Sequence, residues 1–308
     1  MALSDALVRD SQGATRAALR LVALTHGDIE AGLALSDAAG WNQTADDWAL
    51  FMERGHAIGF RDDASRLVAT AAALPYGASA GWISMVLVAD AWRHRGLASD
   101  LMGACIDRLR AARVVPFLDA TPAGAAVYAR LGFAGGFEID RWEWRASTSA
   151  AAIADDSTPP DARSLDAAGS VDLDAIAALD RAATGIDRRF LLESFLARPD
   201  TRAWLSGEGE GSGFVIARAG RRATQIGPLV ANNTSQAIAL LASAFASARA
   251  VAGRSVLLDL PRCRVEVAAW LEAHGFVRQR PFVRMSLGAT HVPAPGDTSF
   301  ILAGPEFG

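Results

Sequence analysis

The stretch "VADAWRHRGLASDLM", Val88 to Met102, carries Arg93, His94, Arg95 and Gly96 to the point where a helix begins. A helix entrance already holds partial positive charge, and its first N–H groups have no intrahelical partner. More positive charge is out of place there unless an anion is held between the two. Gly96 lets backbone approach a ligand with no Cβ in the way. Ala98 keeps the next inward position small, and Arg93 and Arg95 would add charge-assisted contacts to phosphate oxygens. The plainer alternative is a solvated helix start with incidental arginines. From Leu97 the apolar residues Leu97, Leu101, Cys105 and Leu109 recur at helical spacing, with Met102 and Ile106 alongside.

Upstream, "GWISMVLV" is a β-rich run ending at Val88. "HAIGF" and "RLVATAAAL" flank the turn signal "RDDAS" and read as a hairpin. Helical patterns are expected around Leu19–Leu35 and Ala45–Glu53. Downstream, "VVPFLDA" is a short buried strand, "PAGAAVYARLG" a small-residue helix closed by Gly132, and "FEIDRWEWR" a further strand. "ASTSAAAIADDSTPPDARSLDAAGS", Ala146 to Ser170, lacks aromatics and contains Pro159-Pro160, which reads as a linker.

The same order returns after the linker. A helical stretch from Val171 is followed by a hairpin in "RAWLSGEGEGSGFVIARAG" and the strand "ATQIGPLVA". The helix "TSQAIALLASAFASARA", the strand "SVLLDLP" and the helix "EVAAWLEAHGF" complete it, with "FILAG" as a last strand. "VPFLDA…VYARLGF" aligns with "VLLDLP…WLEAHGF", and "MVLVAD" with "GPLVAN", a duplication at domain scale.

The 308 residues suit two domains, and 51% hydrophobic content supplies packed cores. A net charge of −4 argues against a dedicated nucleic-acid or membrane-surface binder. Two cysteines, Cys105 and Cys263, argue against a disulfide framework and for a reducing cytoplasm. The N-terminal sequence has no positive segment leading into an apolar one, so no secretion signal is expected. No apolar run approaches the roughly 20 residues that span a bilayer. Gly-x-Gly-x-x-Gly after a strand, the P-loop, His-Glu-x-x-His and Cys-x-x-Cys are all absent, so no metal is expected.

Arg93-His94-Arg95-Gly96-Leu97-Ala98, directly after a strand, resembles the Gln/Arg-x-x-Gly-x-Gly/Ala signature of the GNAT acetyltransferase superfamily. "AAVYARLGF" is similar to that family's second signature, and the resemblance covers roughly Leu19 to Arg145. It implies an α/β (α+β) fold of tandem GNAT-like domains, each a mixed, mostly antiparallel sheet flanked by helices. The implied division is a catalytic domain over 1–148, a linker over 149–169 and a degenerate GNAT-like domain over 170–308. Acetyl-CoA is the implied cosubstrate. Its pyrophosphate would lie on the backbone of Arg93, His94, Arg95, Gly96, Leu97, Ala98 and Ser99, and its pantetheine arm along Val86, Leu87 and Val88. Tyr128 would be the general acid that protonates the departing thiolate.

Many relatives carry a glutamate on the strand before the loop, but Gly81-Trp82-Ile83-Ser84-Met85 has no carboxylate. Ser84 as a relay, a water chain, or Asp119 are the substitutes for a base. On the acceptor side, Trp41 and Asp46 would suit a cationic amine. A helix cap at Thr44 with Asp46 and Asp47 in its first turn explains that stretch equally well. Glu143 in "RWEWR" either faces the acceptor or pairs across strands.

The second half keeps neither signature: Ala-Asn-Asn-Thr-Ser-Gln-Ala follows Val230, and Leu271 stands where Tyr128 stands in the first. Arg188, Arg189, Arg218 and Arg284 are its candidates for an anionic ligand, with solvated surface as the alternative. The expected activity is acetyl transfer to a small-molecule amine in the cytoplasm. A non-catalytic acyl-CoA or metabolite sensor is the alternative, and a protein-lysine acetyltransferase a weaker third.

Overall fold

Leu97, Leu101, Met102, Cys105, Ile106 and Leu109 form the buried stripe of α3, Leu97–Ala111, as the spacing predicts. The computed structural model describes residues 19–146, 162–165, 170–207, 211–289 and 295–308. It divides into two units between Phe117 and Leu118.

In the first unit, α3 follows β1 (Arg20–Ala23), α1 (Ile29–Ala38), α2 (Ala45–Arg54), β2 (His56–Arg61), β3 (Leu67–Tyr76) and β4 (Ala80–Val88). β5 (Val115–Ala120) then runs across the division. The strand order is β1-β2-β3-β4-β5, antiparallel except for the parallel pair β4–β5. The helical expectation over Leu19–Leu35 is corrected. Leu21 and Val22 pair with Phe60 and Gly59 as an edge strand, and the helix starts only at Ile29. Tertiary pairing there overrides the local helical pattern. β3 is buried along nearly its whole length, consistent with cover on both faces.

The second unit holds α4 (Pro122–Arg130), β6 (Ala134–Trp144), β7 (Ala162–Leu165), α5 (Ser170–Thr184) and α6 (Arg189–Leu196). There follow β8 (Arg202–Ser206), β9 (Gly213–Ala219), β10 (Ala223–Val230), α7 (Thr234–Arg249), β11 (Ser255–Pro261), α8 (Val265–Ala273), β12 (Val277–Ser286) and β13 (Ser299–Ile301). Its strand order is β12-β6-β11-β10-β9-β8-β7, with β13 on β10. The N-terminal stretch to residue 18 and most of the linker lie outside the described residues, but β7 falls within the stretch read as linker and pairs with β8.

β6 precedes the linker yet lies antiparallel between β11 and β12, which follow it by more than a hundred residues. β6 thus belongs with the strands that follow it, in the unit that begins at Leu118. Alternation along β6 explains the attachment. Trp142 packs into the core made by Leu240, Leu241 and Phe245 of α7 and Val267 and Leu271 of α8. Arg141, pointing the other way, forms a buried two-bond ion pair with Asp259 of β11, at 2.8 Å for each bond.

Candidate functional site

The candidate acyl-CoA loop joins β4 to α3. Gly96 is the N-cap of α3 with φ 80° and ψ 0°, a left-handed conformation that favours glycine. Among the described residues no side chain caps this helix end, so the N–H groups of its first turn are left to solvent or a ligand. His94, Arg95 and Gly96 are exposed, and His94 also has positive φ. The two arginines are held by the loop itself. Arg93 pairs with Asp90 at 2.8 Å, while Arg95 lies 4.7 Å from the Trp92 ring centroid and donates to the Ala91 carbonyl at 3.0 Å. The loop is thus braced from inside, with its charges at the surface.

β4 carries the second part of the site. Its parallel ladder with β5 consists of Ala80–Val115, Gly81–Pro116 and Trp82–Phe117, and Val86, Leu87 and Val88 extend past the last pair. On the other edge, the register with β3 slips between Thr70 and Ala72, and Met85 takes positive φ. Thr70 Oγ1 donates to the Met85 carbonyl at 2.8 Å and fixes this bulge. Ser84, the relay candidate, is buried and its hydroxyl has no hydrogen-bond partner among the described residues.

Tyr128 lies on α4 of the second unit, a helix started by Pro122 and capped by the Thr121 hydroxyl, which accepts from the Gly124 N–H at 3.2 Å. Its ring lies 6.2 Å from that of Phe133. Burial pushes the phenol up to about 12, so it stays protonated at neutral pH. Asp119 is committed to structure. Its buried carboxylate takes two 2.8 Å bonds from Arg284, and burial pushes its pKa up while Arg284 pulls against that.

On the acceptor side, the capping alternative describes Asp47. Its carboxylate accepts from the Thr44 N–H at 2.8 Å, and Thr44 Oγ1 accepts from the Asp47 N–H at 3.3 Å. Asp46 is exposed in the same turn, Trp41 is half-buried, and Trp48 is fully buried with its indole N–H on Ser36 Oγ at 2.9 Å. Glu143 pairs with Arg145 at 3.0 Å.

In the second unit the matching features are closed. Asn233 caps α7 by accepting from the Gln236 N–H at 2.9 Å, and Gln236 Oε1 accepts from the Asn232 N–H at 2.8 Å. The β10–β11 ladder runs to Ile226–Leu258, beyond which Leu229 and Val230 of β10 pair with Ile301 and Ser299 of β13. The Leu302 N–H donates to the Asp259 carbonyl of β11 at 3.0 Å, so this segment bonds to both strands where they part. A Cβ on Gly227 would collide with the Leu302 carbonyl. Leu271 is core.

The arginines singled out in this half are engaged. Arg188 pairs with Asp180, Arg189 with Asp174 and Arg284 with Asp119, and Arg218 donates to the carbonyls of Gly227 and Ala303. Sequence reading passed over Arg280, whose local pattern carries no distinguishing signal. Among the described residues no cluster of His, Cys, Asp or Glu could hold a metal, and no helix is long and apolar enough to cross a membrane.

Residues 31–133 match the acetyltransferase (GNAT) family and residues 176–300 an acetyltransferase (GNAT) domain. A Pyrococcus horikoshii protein assigned as an acetyltransferase superposes with a TM-score of 0.75 at 19% identity, covering 94% of this chain and 96% of that one. A tandem GNAT protein from the clavulanic acid biosynthesis pathway gives 0.63 at 17% identity, covering 90% and 99%. A GCN5-related N-acetyltransferase from Kribbella flavida gives 0.52 at 21%, covering 87% and 70%. No curated protein matches the chain significantly in sequence. Two family matches, one on each half, and a fold shared with a tandem member place the chain in the GNAT acetyltransferase family, with two such domains.

Proposed function

We propose that this chain is an acetyl-CoA-dependent N-acetyltransferase acting on a small-molecule amine, catalytic in the GNAT domain matched over residues 31–133, with the one matched over 176–300 non-catalytic. The observation that carries the reading is the contrast between two helix ends in one chain. The N-terminus of α3 is uncapped behind the left-handed Gly96, whereas that of α7 is closed by Asn233 and Gln236. The α3 end would take the pyrophosphate of acetyl-CoA, and the backbone of Val86 to Val88 would hold the pantetheine arm.

In the transfer, the lone pair of a neutral amine attacks the thioester carbonyl. A C–N bond forms, the C–S bond breaks, the amine loses a proton to water, and the sulfur leaves as thiolate. Tyr128 serves that sulfur as hydrogen-bond donor and proton source. With Asp119 bound to Arg284 and no carboxylate on β4, deprotonation of the amine is left to solvent.

The absence of a carboxylate on β4 is also the observation that favours a sensor on the same scaffold. Release of free thiol from acetyl-CoA, measured against a panel of small amines, separates the two. The enzyme releases thiol in an amine-dependent way, and a sensor binds CoA yet releases none above background.

A further inference from the structure

Arg280 of β12 stands in register with Arg141 of β6. Arg141 is neutralised by Asp259, which also accepts from Gln225 Nε2 at 3.0 Å. The side chain of Arg280 has neither ion pair nor hydrogen-bond partner among the described residues, and its Nε–H is enclosed without an acceptor. Both guanidinium groups lie beside Phe282, that of Arg280 at 5.4 Å from the ring centroid and that of Arg141 at 5.5 Å. Burial first and Arg141 second hold the Arg280 pKa below its usual value, against the opposite pull of Asp259 and Glu306. Arg262 and Arg284 on the same unit each have a carboxylate.

A half-buried cation beside another cation costs folding free energy, part of which an arriving oxyanion would return by pairing with its charge. The fork of a guanidinium matches carboxylate and phosphate oxygens alike. We propose that Arg280, with Arg141 behind it, binds the carboxylate or phosphate group of a small ligand through the open Nη edge of its guanidinium. The site belongs to the second unit and is independent of the acetyl-transfer reading.

The test uses the full chain, with inorganic phosphate and succinate as probes, in calorimetric titrations at matched ionic strength set with chloride. One of the two binds the wild-type chain, and which one it is assigns the ligand group. Arg280→Met weakens that binding about tenfold to a hundredfold, the range for a lost charge-assisted bond. Arg280→Lys retains part of the affinity. Without probe, Arg280→Met melts at or above the wild-type temperature, because no hydrogen bond or ion pair among the described residues is lost, methionine keeps an apolar contact with Phe282, and repulsion with Arg141 is removed. Failure of both probes to bind the wild-type chain overturns the proposal, as does equal binding by Arg280→Met. A marked fall in melting temperature in both variants with probe binding retained assigns Arg280 a structural role and overturns it too.

Discussion

Replacing Tyr128 by phenylalanine removes one hydroxyl from a position where the structure gives it no hydrogen-bond partner among the described residues, while the ring contact with Phe133 stays. Folding stability should therefore change by no more than about 0.5 kcal/mol. The catalytic effect is separable. With burial holding the phenol up to about 12, well above a free thiol, full proton transfer to thiolate is uphill. The hydroxyl thus acts first as a donor to the charge growing on sulfur, and the proton moves as CoA departs. A donor aimed at developing charge is worth about 10²–10³ in turnover. Tyr128→Phe should lower kcat by about that factor and leave the affinity for acetyl-CoA unchanged, measured by thiol release and by calorimetric titration. The sign of the pH dependence follows from the same shift. The protonated, active form persists until pH rises through about 12, so this residue gives the wild-type rate no alkaline limb below roughly pH 11. A variant that keeps kcat within twofold of wild type would refute the role, and an alkaline limb near 9 present only in the wild type would refute the pKa argument.

Gly96→Ala forces a side chain into φ 80°, a strain of about 1–2 kcal/mol; if the loop holds pyrophosphate, titration with acetyl-CoA should show affinity reduced more than tenfold while the melting temperature falls only by that strain. Arg188→Met strands the buried carboxylate of Asp180 and should cost about 3–5 kcal/mol in denaturant unfolding, with Asp180→Leu on the same chain recovering most of it.

The elements whose pattern is local were legible. The stripe of α3, the β2–β3 hairpin and the turn at Gly96 each follow from residues within one or two turns of chain. Two roles come from packing that no local pattern announces. Asp47 is a cap, and Arg188, Arg218 and Arg284 are interior anchors. Nothing local distinguishes an arginine that meets a carboxylate from Arg280, which meets none among the described residues. β1 was misread because a four-residue edge strand depends on its partner β2 for definition. The same limit hid the closure of the second-unit slot by β13, since Ser299 and Val230 are far apart in sequence.

The placement of β6 bears on how such a protein can have arisen and how it can be taken apart. Two copies of one ancestral domain joined end to end would separate by a single cut in the linker. Here the first copy has lent its last strand to the second, where Trp142 fills the core and Arg141 neutralises Asp259. A fragment ending at residue 148 would carry β6 with both hydrogen-bonding edges bare, a template for aggregation. The complementary fragment would bury Asp259 without its counter-ion. A cut in the linker would therefore leave neither half with the partners that β6 has in the intact chain.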